Sequence, residues 1–330
     1  MKVVLDENLF SDAENDDGIT QILLWGAARR HAVLLNPLVI PEEDRWPFPD
    51  SILGWIERNG SAGRNRLICA IEAGLKISAG TTQSFTLRIQ TIPHPDWKKL
   101  KLPLKAAIET LDKPLALIIE NQINDLKFVL AVTLPEHRES LEDALANSWI
   151  RVDHGGGSDM LNICRAKGAE PDCNLRTYAL FDSDCKERGE PSNTQAKLAR
   201  ICDDAKIPYR VLLRRNIESY LPIPLLKKWA YNSLNNEKES TIEKIAVLEG
   251  LTSEQRSVYY YKTGLNKDAG SLPSLLAGLD KNQAEILKEG FGKNIAELFD
   301  SKWGHRSQWF RADDFELETR DIAIKVLQNL

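Results

Sequence analysis

Three phrases decide the fold: PLALIIE (114–120), TYALFDSD (177–184) and YRVLLRRNIESY (209–220). LALII (115–119) is an unbroken apolar run, the pattern of a strand covered on both faces in a parallel sheet. TYALF (177–181) and YRVLL (209–213) have the same character, and Trp149–Val152 supplies a fourth short strand. Between them lie helix-compatible stretches at Asp125–Val132, Arg138–Asn147, Asp159–Lys167 and Thr194–Ala205. The last of these sets Leu198, Ile201, Cys202 and Ala205 on one stripe. Strand–helix alternation of this kind predicts right-handed crossovers and a parallel sheet flanked by helices. Ligands of such sheets gather outside the carboxyl ends of the strands.

Acids occupy those ends. Glu120 closes LALII, Asp182-Ser183-Asp184 closes TYALF, and Glu218 follows YRVLL by a few residues. Hard cations such as Mg²⁺ and Mn²⁺ take oxygen ligands, and four carboxylates on one edge would repel one another without a compensating cation. Asp182 and Asp184 would share a side in a continued strand, and in a turn both can still reach one ion or neighbouring ions.

With these residues in view, Pro114–Leu221 resembles a Toprim domain, the metal-binding module of topoisomerases, DnaG-type primases and OLD-family nucleases. The matching elements are PLALIIE, DHGGG (153–157) after the second strand, YALFDSD and RRNIESY. The OLD-like subgroup is the closer match, because its members carry an arginine-rich strand followed by an x-I-E-x-Y element. The resemblance implies Glu120, Asp182, Asp184 and Glu218 as ligands of one or two Mg²⁺ or Mn²⁺ ions, with an acid–base role as the alternative for Glu120. It also implies Lys262, in TSEQRSVYYYKTGL, as a catalytic lysine near the scissile phosphate, and it extends to EGFGKNIAELF (289–299). Two positions depart from the family pattern. Asn121 stands where glycine is usual, and Asn124 where an acid is usual, with Asp125 one place later as its substitute.

The flanks are less regular. In residues 1–110 Lys2–Leu5 and Ser84–Ile92 read as strands, Ile19–Arg29, Arg64–Ile77 and Leu104–Leu111 as helices, and Val33–Ile40 as an apolar β-branched run. MKVVLDENLF also resembles the opening of PIN-type nucleases, with Asp6 and Glu7 and later Glu42 and Glu43, but no third and fourth acids follow at that spacing. A partner-binding or oligomerising role is preferred there. Residues 216–330 read as mostly helical, with candidates at Leu225–Leu234, Thr241–Leu248, Ser253–Tyr261, Gln283–Leu287 and Asn294–Phe299. The expected organisation is therefore an N-terminal α/β domain (1–110), a Toprim-like catalytic domain (111–222) and a helical C-terminal region (223–330).

Composition sets outer bounds. The chain has 330 residues, 42% apolar and 28% charged, with 43 Lys and Arg against 48 Asp and Glu, a formal charge of −5. That excludes a disordered chain and argues against coating nucleic acid by bulk charge. Locally the balance reverses: residues 186–215 hold eight basic and four acidic side chains. Arg214, Arg215 and Lys186 are the expected substrate contacts. Five cysteines without a CxxC pair suggest free thiols in a reduced cytoplasm, and no apolar run is long enough for a membrane span.

These readings converge on a metal-dependent endonuclease that hydrolyses phosphodiester bonds in DNA or RNA. The alternative is a non-catalytic regulatory or partner-binding module. There is no GxxxxGK[ST] element, so a P-loop is not expected. The resemblance implies a separate ABC-type or AAA-type ATPase as partner in a phage-defence system, with room for a homo-oligomer and no membrane role.

Overall fold

The computed structural model describes residues 1–42, 45–80, 85–156, 158–232, 238–303, 309–310 and 315–329. Glu43, Ser84, Gly157 and Leu234 lie outside the described residues.

The described residues form two four-stranded, wholly parallel sheets. The first contains β1 (Lys2–Asp6), β2 (Ala32–Asn36), β3 (Thr86–Ile89) and β4 (Lys101–Leu102) in the order β2-β1-β3-β4. The second contains β5 (Leu115–Ile119), β6 (Ile150–His154), β7 (Thr177–Phe181) and β8 (Tyr209–Val211) in the order β6-β5-β7-β8. Each sheet thus uses the same winding, with its first strand inside, its second to one side and the last two to the other. The α/β class expected from strand–helix alternation is observed in both halves.

Every residue of β5 and of β7 is buried, as their unbroken apolar runs require. The order places the reversal of winding between β5 and β7. Pairing of Leu117 with Tyr178 and Ile118 with Ala179 brings their carboxyl ends to one edge.

Some boundaries differ from the sequence expectation. β6 is shifted to Ile150–His154, and β8 ends at Val211 because Leu213 no longer pairs with a strand. In the first half, one element spans Asp50–Gly80 and is interrupted at Gly60, whose φ of 64° and ψ of −164° are non-helical. Asn294–Phe299 belongs to a 3-10 helix over Lys293–Phe299.

The helix Phe315–Asn329 lies in the region read as helical but is not among the helices the sequence singles out. It matters, because its buried Glu318 takes over the outer edge of β8. Oε1 accepts the Leu213 N–H at 2.7 Å, and Oε2 accepts the Tyr220 hydroxyl at 2.5 Å. The Tyr220 oxygen in turn accepts the N–H of Arg214.

Among the described residues three hydrophobic cores follow from this arrangement, one of them packing Ile118 and Phe181 of the second sheet against Met160, Leu198 and Cys202. A second belongs to the first sheet and takes in Ala107 and Leu111. The third begins at Leu115 and runs through Leu225, Ile245, Tyr259 and Phe299 to Val326, so the C-terminal helices are built onto the second sheet. Between the two halves, Arg30 donates to the carbonyls of Asp112 and Lys113, Arg176 donates to that of Lys113, and Lys113 pairs with Asp172 at 2.7 Å. No helix among the described residues is long and apolar enough to cross a membrane.

Because Glu318 satisfies two buried donors, Glu318→Ala is expected to lower unfolding stability by roughly 2–4 kcal/mol. Glu318→Gln, which keeps one carbonyl acceptor, should lose less. Urea unfolding of both variants provides the comparison.

Candidate active site at the carboxyl edge of the second sheet

The loop after β7 and the segment after β8 are zipped together beyond the sheet. Leu212 N–H donates to Phe181, Ser183 Oγ to the Arg214 carbonyl, and Asp184 N–H to the Arg215 carbonyl. Asp182 Oδ1 then accepts the Ile217 N–H at 3.0 Å. The last of these contacts lays Glu218, in the short 3-10 turn Ile217–Tyr220, beside the aspartates. Asp184 sits at φ 49°, in the left-handed region that Asp tolerates better than most residues.

Glu120 arrives from β5. Its own N–H and that of Asn121 both donate to Asp125 Oδ2 at 2.9 Å, which fixes the turn into the next helix (Gln122–Val132). Asn121 caps that helix through its side chain, with φ −128° and ψ 111°, an extended conformation open to any residue. Glycine is not needed there. Gln195, in the first turn of the helix Asn193–Ala205, donates from Nε2 to Glu120 Oε1 at 3.0 Å and lies 3.3 Å from Asp184 Oδ2.

Lys262 completes the cluster, with Nζ 2.9 Å from Glu218 Oε1. Glu218 is fully buried, and its Oε2 has no hydrogen-bond partner. Lys262 is held from behind by the GFGK element. Phe291 N–H donates to the Tyr261 carbonyl at 2.7 Å and Gly292 N–H to that of Lys262 at 3.0 Å. A Cβ on Gly290 would collide with the backbone of Tyr261 and Lys262, so this position requires glycine.

The electrostatics reflect crowding of like charge. Burial, then Asp184 and Asp125, pushes the Glu120 carboxyl up to about 7. Burial raises Asp125 to about 6 against two stabilising backbone N–H groups. Asp182 is raised well above the carboxylate range by burial and by Glu120, Asp125, Glu218 and Asp184. Burial also raises Glu218, opposed by Lys262. For Lys262 burial acts downward, but Glu218 and Asp182 outweigh it and the net shift is upward.

Glu120, Asp182, Asp184, Glu218 and Lys262 are therefore neighbours, together with Asp125 and Gln195. The donor set is all oxygen, as hard divalent cations prefer. Among the described residues, no three acidic, His or Cys side chains stand together as a formed ligand shell. A cation would have to draw the carboxylates together by side-chain rotation.

The arginines expected to meet substrate are elsewhere. Arg214 is buried, stacks over Tyr220, and donates to the Ser219 carbonyl and Ser253 Oγ. Arg215 is buried in a two-bond pair with Asp268, at 2.6 and 2.8 Å, and donates to the Val258 carbonyl. Both guanidiniums serve the interior because the chain after β8 turns inward under the C-terminal helices. Lys186 is half-exposed, donating to the Ser271 carbonyl at 3.1 Å. Tyr259 and Tyr261 are core residues, and Tyr260 lies under Arg215.

A cleft of about 740 Å³ opens at the outer edge of β8 rather than over the carboxylates. Arg188, Arg210 and Arg320 line it, with Leu213, Ile324, Glu318 and Asp321. Arg188 and Arg210 belong to the basic stretch noted in the sequence; Arg320 comes from the C-terminal helix.

Among the described residues, the first sheet has no comparable cluster. Asp6 Oδ1 accepts from the Asn8 backbone and side chain, and Oδ2 from Asn36 Nδ2. Glu42 is exposed and pairs through its backbone with Arg45.

Comparison with family models, with curated proteins and with solved structures gave no match. The functional reading rests on the residues and their geometry.

A carboxyl with its pKa raised by folding gives stability that is present at low pH and is lost as pH rises through the folded value. In chelator, wild-type stability should therefore fall relative to Glu120→Gln between pH 5 and pH 8, by on the order of 2 kcal/mol. Urea unfolding at the two pH values measures the difference. Gly290→Ala is expected to displace the Lys262 segment and cost about 1–3 kcal/mol while leaving the carboxylate side of the site intact.

Proposed function

We propose that this chain is a divalent-metal-dependent phosphodiester hydrolase of the Toprim type, cutting DNA or RNA at the carboxyl edge of the second sheet. The observation that carries the reading is the gathering of Glu120, Asp125, Asp182, Asp184 and Glu218 around one lysine, with a fully buried Glu218 oxygen left without a partner. Five carboxylates against one ammonium are poorly balanced at a single, partly buried strand edge, and added positive charge would relieve them.

Glu120, Asp182, Asp184 and Glu218 would hold one or two Mg²⁺ or Mn²⁺ ions. Bound there, the metal supplies a polarised phosphate and an activated water. Asp125 acts through the backbone, fixing the turn that presents Glu120. Lys262 pairs with Glu218, and its ammonium would supply a positive charge to set against a phosphate oxygen. Contact with the nucleic-acid backbone passes from Arg214 and Arg215 to the arginines of the β8 cleft. A separate ATPase partner in a defence system and a cytoplasmic setting belong to the same proposal.

A non-catalytic reading draws on one observation: Lys262 and Gln195 already engage three of the carboxylates within the chain. A regulatory module needs no more than that.

The full chain, incubated with Mn²⁺ or Mg²⁺, is expected to nick supercoiled plasmid or to cut a long RNA. Glu120→Gln and Asp182→Asn should each reduce cutting by at least a hundredfold with unchanged far-UV circular dichroism. Cutting that persists in both variants would remove this site from the reaction. Calorimetry showing no divalent binding to the wild type would favour the regulatory reading.

A further inference from the structure

Gln195 is placed like a residue with a second task. Its backbone is fixed, since Ser192 caps the helix by accepting the Gln195 N–H. Its side chain is only 4% exposed. Nε2 lies between two acidic groups from different strand ends, 3.0 Å from Glu120 Oε1 and 3.3 Å from Asp184 Oδ2. The other end of the same amide, Oε1, is buried and has no hydrogen-bond partner.

A glutamine serving only to brace the fold would have both ends of its amide engaged, because a buried acceptor without a donor is costly. Here only the donor end is used. The NH₂ group carries partial positive charge and stands where Glu120 and Asp184 most need it. An amide oxygen and nitrogen are close in size, and a half-turn about the last side-chain bond exchanges them.

We propose that Gln195 is an oxygen ligand of the divalent cation, exchanging its amide nitrogen for Oε1 when the ion enters between Glu120 and Asp184. The inference rests on the metal-dependent reading above and adds a neutral ligand to its carboxylates. In the cation-free protein the NH₂ group holds the two carboxylates close against their repulsion. An arriving cation repels that NH₂ group and attracts the carbonyl oxygen, a common ligand type for Mg²⁺-like ions. The orphan acceptor is thereby satisfied, and the amide's new orientation releases both carboxylates to the metal. Because the ligand is neutral, it adds no repulsion to an already crowded edge.

The test is Mn²⁺ binding to the full chain, by calorimetry and by electron paramagnetic resonance of free Mn²⁺, in wild type, Gln195→Glu and Gln195→Leu. Gln195→Glu keeps an oxygen and discards the donor; Gln195→Leu discards both. Wild type is expected to bind, Gln195→Leu to bind at least about tenfold more weakly, and Gln195→Glu to bind as tightly or more tightly. Without metal, both variants should melt below wild type, and Mn²⁺ should restore Gln195→Glu but not Gln195→Leu.

Gln195→Leu binding within twofold of wild type would overturn the ligand role while leaving the metal site standing. Weaker binding by Gln195→Glu than by wild type would overturn it as well, and decides the matter if Gln195→Leu does not fold. Wild type that fails to bind Mn²⁺ removes the underlying metal reading, and the ligand role with it.

Discussion

The arrangement of the candidate site depends on the buried pair between Arg215 and Asp268. Arg215 does two jobs at once. Its carbonyl accepts the Asp184 N–H and so holds the aspartate loop, while its guanidinium grips Asp268 and the Val258 carbonyl in the C-terminal region. Buried ion pairs are often close to neutral in net stability, but loss of one partner strands a charge at a cost of about 3–5 kcal/mol. Such a pair specifies a geometry more than it adds stability. Here the geometry is the approach of the segment carrying Tyr260 and Lys262 to the acids of the second sheet. The C-terminal helices are thus part of the site's construction.

Arg214 has the matching role on the sheet side. Through Tyr220 and Glu318 it ties the chain after β8 to the helix Phe315–Asn329, and its carbonyl accepts from Ser183. Two adjacent arginines therefore spend both their backbone and side-chain bonding on bringing three separate parts of the chain to one edge. Under the proposed nuclease reading, their burial would leave phosphate contact to arginines nearer the surface. The β8 cleft offers three of these, partly offset by Glu318 and Asp321.

Much of this was legible in the sequence, for a specific physical reason. A strand buried on both faces must be continuously apolar, so Glu120 and Asp182 stand out as the residues that end such runs. Direction of burial was not legible. Arg214 and Arg215 have the composition of a phosphate contact, and only the inward turn after β8 reveals otherwise. The helix Phe315–Asn329 escaped because its buried face mixes Ile322 and Val326 with Glu318, Thr319, Gln328 and Asn329, which erases the apolar period. Gln195 had no signal beyond its place in the first helical turn after DSD, where a glutamine ordinarily faces water. Lys262 was readable only by resemblance; its contact with Glu218 depends on Gly290 and Gly292, which look in sequence like a simple loop.

The two sheets show why topology alone does not define a site. Both wind in the same order, and each has an acid at the end of its first strand. Asp6 is saturated by Asn8 and Asn36, so its charge is spread over local donors and asks for nothing more. At the equivalent edge of the second sheet, donors are fewer than the acceptors they face. Glu218 keeps one buried oxygen without a partner, Gln195 uses only one end of its amide, and burial pushes the carboxyl pKa values upward. A protein that merely needed a stable edge would resemble the first sheet. The imbalance at the second, maintained by two buried arginines and a glycine-backed lysine, is the physical ground for the proposed cation site. The formal charge of −5 acquires a location in this way: part of the excess acid is gathered at one strand edge, where divalent ions would offset it.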